Sequence, residues 1–412
     1  MLESDEAARR LGVKMATLYA YVSRGLLVSH PSPTGRRRLI DVEEVERLAR
    51  RSRQGKAVET RMATITTGIT QLTDDGPIYR GLRATELATR YRYEEVAEWL
   101  WGVDNEGAAD LHPGPEWVAL DLGRPPGIGT SDRMRWAVVM AGSADPLRSD
   151  LRPEAVIRAA RQVAASMVKV LPAAGPDPAG PGPAGSAERS RSIALGGEPD
   201  LTGSMAERLT SVLAPRPTAD LVRGVNAAMV LMADHELATS TLAVRVAAST
   251  RADIYDALLV ALGTIAGPLH GGASQLAYSL LIDAERDGPE RALDDTLRWQ
   301  GVLPGFGHTV YKHGDARFGV LLELFEQLAR PQQVELVQSI VDAAADHGIP
   351  PPNVDLALAA ISWATGMPPD AGRTLFTVAR VAGWVAHYLE ELEERPLRYR
   401  ARAVYATGRS PA

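Results

Sequence analysis

"TLFTVARVAGWVAHYLEELEE", residues 374–394, decides the fold class. Leu375, Val378, Ala382, Val385, Leu389 and Leu392 recur at steps of three and four, which is the spacing of one helix face rather than the alternation of a strand. The same spacing runs through "LVRGVNAAMVLMADHELATSTLAVRVAAS" (221–249), "IYDALLVALGTIAG" (254–267), "RFGVLLELFEQLA" (317–329) and "QQVELVQSIVDAAADHG" (332–348). Alternating runs are scarce and short. The sequence therefore predicts a mainly helical body, without a parallel sheet or the ligand crevice that such a sheet creates.

Composition narrows the chemistry. The chain has 412 residues, 45% of them hydrophobic, enough for a sizeable core and a satellite domain. With no cysteine it has no disulfide, thiolate nucleophile or cysteine-held metal. "HELAT" at 235–239 begins like a zinc-protease helix, but Thr239 stands where the second histidine belongs, so no metal site is expected. The opening "MLESDEAARRLGVK" carries acids and arginines where a secretory signal needs an apolar core, and no uncharged run is long enough to span a bilayer. A cytoplasmic protein without a membrane partner is the expectation. The net charge of -6 is uneven: residues 1–60 carry two Lys and ten Arg against eight acids, a balance of +4 that leaves -10 for the rest.

The basic end has its own pattern. Ser4 is placed to cap a helix over "DEAARRLGV", Gly12 ends it, and a second helix "MATLYAYVSRG" stops at Gly25. "LLVSHPSPTGRRRLI" then has the apolar ends and Pro/Gly centre of a hairpin wing, and "DVEEVERLARR" opens with Asp41 and Glu44 as in a capping box. This order resembles the winged helix-turn-helix modules of the MerR and excisionase type. In such a module Thr17, Tyr19, Tyr21 and Arg24 of the second helix, with Arg36, Arg37 and Arg38 of the wing, would face DNA. Lys14-Met15 replaces the Ser-Arg with which that second helix often opens. A solvated basic face and a protein-docking module remain open beside DNA binding. Further on, "PAAGPDPAGPGPAGSA" (172–187) reads as a surface excursion, and its "GPGPAG" is a chance match to a dinucleotide-binding pattern, since no strand precedes it.

Three polar positions on the helical body invite chemistry. His270 in "GPLHGGASQ" (267–275) sits among small residues, where Pro268 and bare glycines would let a substrate approach; a histidine capping a tightly packed helix is the competing reading. His308 lies in "LPGFGHTVYKHGDAR" (303–317), where Tyr311, Lys312, His313 and Arg317 gather on a glycine-rich loop suited to anions, or simply form a solvated basic loop. Asp355 in "IPPPNVDLALAAI" (349–361) falls in the first turn of an apolar helix capped by Asn353. The helix dipole would stabilise its charge and burial would raise its pKa; an ordinary first-turn acid is the alternative.

Six motifs in register decide among these readings. "ADHE" (233–236), "GPLHGGA" (267–273), "PGFGHTVYKHGDAR" (304–317), "NVD" (353–355), "ARVAGWVAH" (379–387) and "RARAVYATG" (400–408), with "GPIYRGLRATELATRYRYEEVAEWLWG" earlier, together resemble the citrate synthase family. The resemblance runs from about residue 63 to the end. It implies condensation of acetyl-CoA with oxaloacetate, a reaction of the tricarboxylic acid cycle, followed by hydrolysis of citryl-CoA. It needs no cofactor, acetyl-CoA being a substrate.

By the same resemblance Asp355 removes the α-proton, His270 donates to the thioester oxygen and His308 polarises the ketone of oxaloacetate. His235, Arg317, Arg380 and Arg400 hold its carboxylates, Arg400 from the partner subunit of a homodimer. Lys312 and His313 are the places for the CoA phosphates. Residues 1–53 are then the winged helix-turn-helix domain, 54–62 a linker and 63–412 the citrate synthase-like body. That body would comprise a large subdomain (63–270 and 376–412) and a small one (271–375) that closes over oxaloacetate. Thr309 replaces an arginine common in relatives, and Ala401 a proline. Two other functions stay in view: 2-methylcitrate synthesis from propionyl-CoA, and a metabolite-sensing DNA-binding regulator.

Overall fold

The structure is a computed structural model; it describes residues 2–11, 18, 29–31, 38–42, 44–45, 65–103, 111–112, 114–173, 202–267 and 270–400. Chain contacts divide it into two compact units, Met1–Thr66 and Thr67–Ala412.

In the first unit, strand β1 (Leu2–Glu3) leads into helix α1 (Ser4–Leu11), so the helix starts at Ser4 itself. β2 (Ser29–Pro31) and β3 (Arg38–Ile40) pair antiparallel, as the hairpin wing requires, and β1 joins the other side of β3. Ala7, Ala8, Leu11, Leu18, Ile40 and Val45 form a small core. The expected DNA-facing residues Thr17, Tyr19, Tyr21, Arg24, Arg36 and Arg37 lie outside the described residues, as do residues 174–187 of the proline-rich stretch; of Arg38 only the backbone is described.

The second unit is helical, as its periodicity predicts, apart from one small sheet that the sequence reading did not anticipate. β4 (Thr70–Thr73), β5 (Gly76–Tyr79) and β6 (Leu82–Arg83) form an antiparallel meander. Helices α2 (Ala84–Arg90), α3 (Tyr93–Trp101), α4 (Thr130–Ala144), α5 (Pro153–Lys169), α6 (Met205–Leu213) and α7 (Ala219–Leu231) follow. Next come α8 (Thr239–Ser249), α9 (Ile254–Ile265), α10 (Ala273–Asp287) and α11 (Pro289–Gln300). The last four are α12 (Ala316–Leu328), α13 (Pro331–Asp346), α14 (Val354–Ala364) and α15 (Ala371–Glu393). No helix is long and apolar enough to cross a membrane among the described residues.

The stretch 374–394 becomes the body of α15, which packs against α3, α5, α7, α8 and α9. Its face toward α3 is pinned by polar tips of buried aromatics: the Tyr93 hydroxyl lies 3.0 Å from the Ala379 carbonyl, and Trp101 Nε1–H donates to Ala382 O at 2.9 Å. Each tip satisfies a buried polar group while its ring fills core volume. Gly383 lets this helix touch the 232–238 segment, since a Cβ there would meet Asp234 Oδ1 at 2.1 Å.

One helical expectation needs correction. The stretch 221–249 is two helices, α7 and α8, separated by a turn at 232–238. Asp234 Oδ2 accepts the Glu236 N–H at 3.0 Å, and Glu236 adopts a left-handed φ of 53°, which no continuing helix allows. The apolar spacing survives across the break, so periodicity did not reveal it.

Candidate active site

Most side chains of the site come from a turn or a helix start, and Arg380 comes from the middle of α15. The 232–238 turn is held from beneath by Tyr79, whose hydroxyl sits among the Val230, Leu231 and Asp234 carbonyls and accepts the Asp234 N–H at 3.3 Å. The turn presents His235. Its Nε2 lies 3.0 Å from the Tyr311 hydroxyl, and its ring centroid 5.2 Å from that of His308. Burial, with Arg317 and Arg380 nearby, holds His235 well below the usual imidazole range, so it is neutral at pH 7.

His308 is oriented by its own loop. Its Nδ1 accepts the backbone N–H groups of Val310 (3.0 Å) and Tyr311 (3.3 Å). A nitrogen that accepts two donors carries no proton, so the ring proton sits on Nε2, available as a donor. Burial and then Arg317 push the group down to about 4. Tyr311 stacks on it at 4.6 Å, and the Arg317 guanidinium lies 5.2 Å from the Tyr311 ring centroid. Tyr311, pushed up to about 12 chiefly by burial, keeps its proton.

His270 stands in the turn before α10, with Nε2 2.8 Å from Ser240 Oγ. Trp384 Nε1–H also donates to that oxygen, at 3.2 Å. The Trp384 N–H takes one of the two Ser240 lone pairs, and the hydroxyl holds His270 Nε2 with its proton or with its second lone pair, according to the imidazole tautomer. Burial, then Arg380, lowers His270, so it too is neutral. Gly271 does not provide room for a substrate, contrary to expectation. A Cβ on Gly271 would sit 2.4 Å from the Ile265 carbonyl oxygen, so the protein's own backbone fills that space.

Asp355 follows Asn353, whose side chain caps α14 by accepting the Asp355 N–H at 2.9 Å. Burial raises its carboxyl to about 6, against the pull of Arg317; the Ser274 N–H also favours its charge. That backbone group belongs to the first turn of α10, so it brings the His270 turn and Asp355 together.

The two buried arginines differ. Arg317 is committed to Asp315 through Nε (2.9 Å) and Nη2 (2.8 Å), and Asp315 also accepts the Val354 N–H. Arg380, 2% exposed, lies over the Phe376 ring, with Nε and Nη1 lacking any hydrogen-bond partner. A buried cation with unused donors is prepared for an anion. Among the described residues no cluster of three or more His, Asp or Glu is placed to hold a metal ion.

The structure therefore gathers His235, His270, His308, Asp355, Arg317 and Arg380. It does not bring in the others: Lys312 and His313 are exposed, with Lys312 Nζ donating to the His308 carbonyl at 3.2 Å, and Arg400 is exposed at the end of the described chain. Ser240, Phe376 and Trp384 had no signal of their own in the sequence, being small, apolar or ordinary helix residues, and Asp315 stood in the loop motif as an ordinary helix-capping acid. Tyr311 stood in the loop motif without a role.

The chain is similar to known proteins along most of its length. The family model described as "Citrate synthase, C-terminal domain" matches residues 56–402, and one described as "Helix-turn-helix domain" matches residues 1–53. "Citrate synthase 2" of Bacillus subtilis is 28% identical over 82% of this chain and 92% of its own length. "2-methylcitrate synthase 2" of Corynebacterium glutamicum is 30% identical over 77% and 86%. Among solved structures, citrate synthase from Thermotoga maritima shares the fold with a TM-score of 0.64, at 24% identity over 85% of this chain and 96% of that one. The Thermoplasma acidophilum enzyme, solved as a ternary complex with carboxymethyl coenzyme A and oxaloacetate, also gives 0.64, at 23% identity over 87% and 97%.

Proposed function

Because this chain belongs to the citrate synthase family, whose members transfer an acyl group to oxaloacetate, we propose that it condenses acetyl-CoA with oxaloacetate and hydrolyses the citryl-CoA formed. The observation that carries this reading is the buried Arg380 with unpaired donors, set among neutral histidines and a carboxylate of raised basicity. The acyl-CoA is a substrate, and the family's chemistry takes no cofactor.

Each residue has a step. Asp355 removes a proton from the acetyl methyl group, and His270 Nδ1–H donates to the thioester oxygen as negative charge develops there. The enolate carbon attacks the oxaloacetate ketone. His308 Nε2–H polarises that carbonyl and protonates the alkoxide formed from it, and the proton that Asp355 took from the methyl group returns through water to His308, restoring both groups. Arg380, Arg317, His235 and Arg400 of a partner subunit bind the carboxylates, with Arg317 contributing the Nη1 that Asp315 leaves free. Water then cleaves the thioester, releasing CoA. Lys312 and His313, exposed beside His308, suit the CoA phosphates. Closure of residues 271–375 over oxaloacetate would exclude water before the thioester enters.

A homodimer is part of the proposal. Val139 and Met140 on α4, Val246 on α8 and Val260 on α9 are exposed apolar residues on helices that pack in sequence, α4 on α9 and α9 on α8. Exposed apolar residues on neighbouring helices suit a self-complementary contact.

Assay of CoA release from acetyl-CoA and from propionyl-CoA, each with oxaloacetate, tests the reading. Release with acetyl-CoA that disappears in Asp355→Ala supports it; no release with either thioester sinks it. A higher kcat/KM for propionyl-CoA would make the enzyme a 2-methylcitrate synthase, a reading favoured by the Corynebacterium relative. The helix-turn-helix match favours a DNA-reading role that can coexist with catalysis. Affinity for duplex DNA that falls steeply with salt would support it, whereas no binding would remove it.

A further inference from the structure

Asp234, Arg245 and His387 are each 0% exposed and lie in line behind the site. Arg245 Nη1 donates to His387 Nδ1 at 2.9 Å, and His387 Nε2 lies 3.3 Å from Asp234 Oδ2. A guanidinium can only donate. His387 Nδ1 therefore accepts, its ring proton sits on Nε2, and that proton points to Asp234. Behind Arg245 the charge is balanced by Glu390, bonded to Nη1, and by Glu391, whose Oε2 accepts from Nε at 2.8 Å.

At the front end the direction of this relay matters. Asp234 Oδ2 accepts from both His387 and the Glu236 N–H, the bond that folds the turn bearing His235. Asp234 Oδ1 takes no hydrogen bond from Arg380, whose Nε and Nη1 donate to no group, although the two charges interact; the Thr70 side chain also favours the Asp234 charge. The carboxylate thus compensates the buried guanidinium without occupying its donors.

We propose that His387 is a positioning residue for oxaloacetate: by relaying Arg245 to Asp234 it fixes the His235 turn and keeps Arg380 countercharged yet open to a substrate carboxylate. The proposal rests on the functional reading above. Helix packing alone does not require it, because a nonpolar side chain of similar size would fill the same volume.

The test uses the full chain with His387→Phe and His387→Gln. Phe keeps a ring but cannot bond; Gln offers both an acceptor and a donor. His387→Phe should raise the KM for oxaloacetate about tenfold while the KM for acyl-CoA moves less than about threefold, the loss expected when a buried polar group loses its partner. His387→Gln should recover most of the difference. Without ligand, amide hydrogen exchange of the 232–238 turn should quicken in Phe and not in Gln. A folded Phe variant with unchanged oxaloacetate KM and turn exchange overturns the proposal. So does a uniform loss in which both KM values and kcat shift together. If His387→Phe does not fold, Arg245→Lys, which keeps charge beside Glu390 and Glu391 but withdraws the donor to Nδ1, is read by the same criteria. Absence of CoA release by the wild type would instead overturn the functional reading, and the exchange measurement would still decide the role of His387.

Discussion

Ser240 Oγ lies 2.8 Å from Nε2 of His270 and also receives the Trp384 indole N–H, so a buried serine partners one of the two imidazole nitrogens. Ser240→Ala should leave that nitrogen without its partner and lower kcat about ten- to hundredfold, with little change in the KM for oxaloacetate. Steady-state kinetics with both substrates varied separates the two constants; an unaltered kcat would remove Ser240 from the mechanism.

Asp355 sets the acidic limb of activity. Its pKa of about 6 means that the required base is protonated below that value, so kcat/KM should fall about tenfold per pH unit beneath it. His308, at about 4, stays neutral throughout this window and should not set the limb. A pH profile whose acidic midpoint lay near 4 would assign it elsewhere.

The same carboxylate costs stability. Its folded pKa lies above the ordinary 3.8, so the folded state binds the proton more tightly, and stability declines as pH rises from about 4 through 6. Asp355→Asn should accordingly be more stable than wild type at pH 7, by about 1–3 kcal/mol, with the advantage fading toward pH 4. Denaturant melts at the two pH values measure this, alongside loss of turnover.

Arg380 should couple ligand binding to stability. Filling its unused donors with a substrate carboxylate stabilises only the folded state, by about 2.7 kcal/mol at a hundredfold excess over Kd. The thermal midpoint should rise with oxaloacetate in the wild type and show little rise in Arg380→Gln. An equal rise in both would place the anion elsewhere.

Gly383 is required by a close approach, not by its backbone angles. Gly383→Ala would put a methyl group 2.1 Å from Asp234 Oδ1, pushing the His235 turn away from α15. The expected outcome is a loss of about 1–3 kcal/mol in stability, as for other overpacked contacts. A weaker affinity for oxaloacetate should accompany it. A crystal structure with the turn unmoved would contradict this account.

The class of fold and the chemistry-bearing residues were legible in the chain. Spacing of three and four predicted the helices because one face of each must be buried, and the Asn353 cap announced the start of α14. The meander at 70–83 escaped notice because its strands are only two to four residues long, too short to show a period. The break at 232–238 was hidden because apolar spacing continued through it. His387 stood in plain view within a helix motif, yet its role depends on Arg245, 142 positions away in the chain.

The sequence by itself determined which groups are present: no thiol, a helical body, a basic end, and His270, His308 and Asp355 on three separate segments. Only the tertiary structure decided their states. Burial set the basicity of Asp355, the Val310 and Tyr311 N–H groups set the tautomer of His308, and Asp315 claimed one arginine while leaving the other open. The reason is that desolvation and hydrogen-bond partnership belong to neighbours in space, and a linear chain names residues without naming those neighbours.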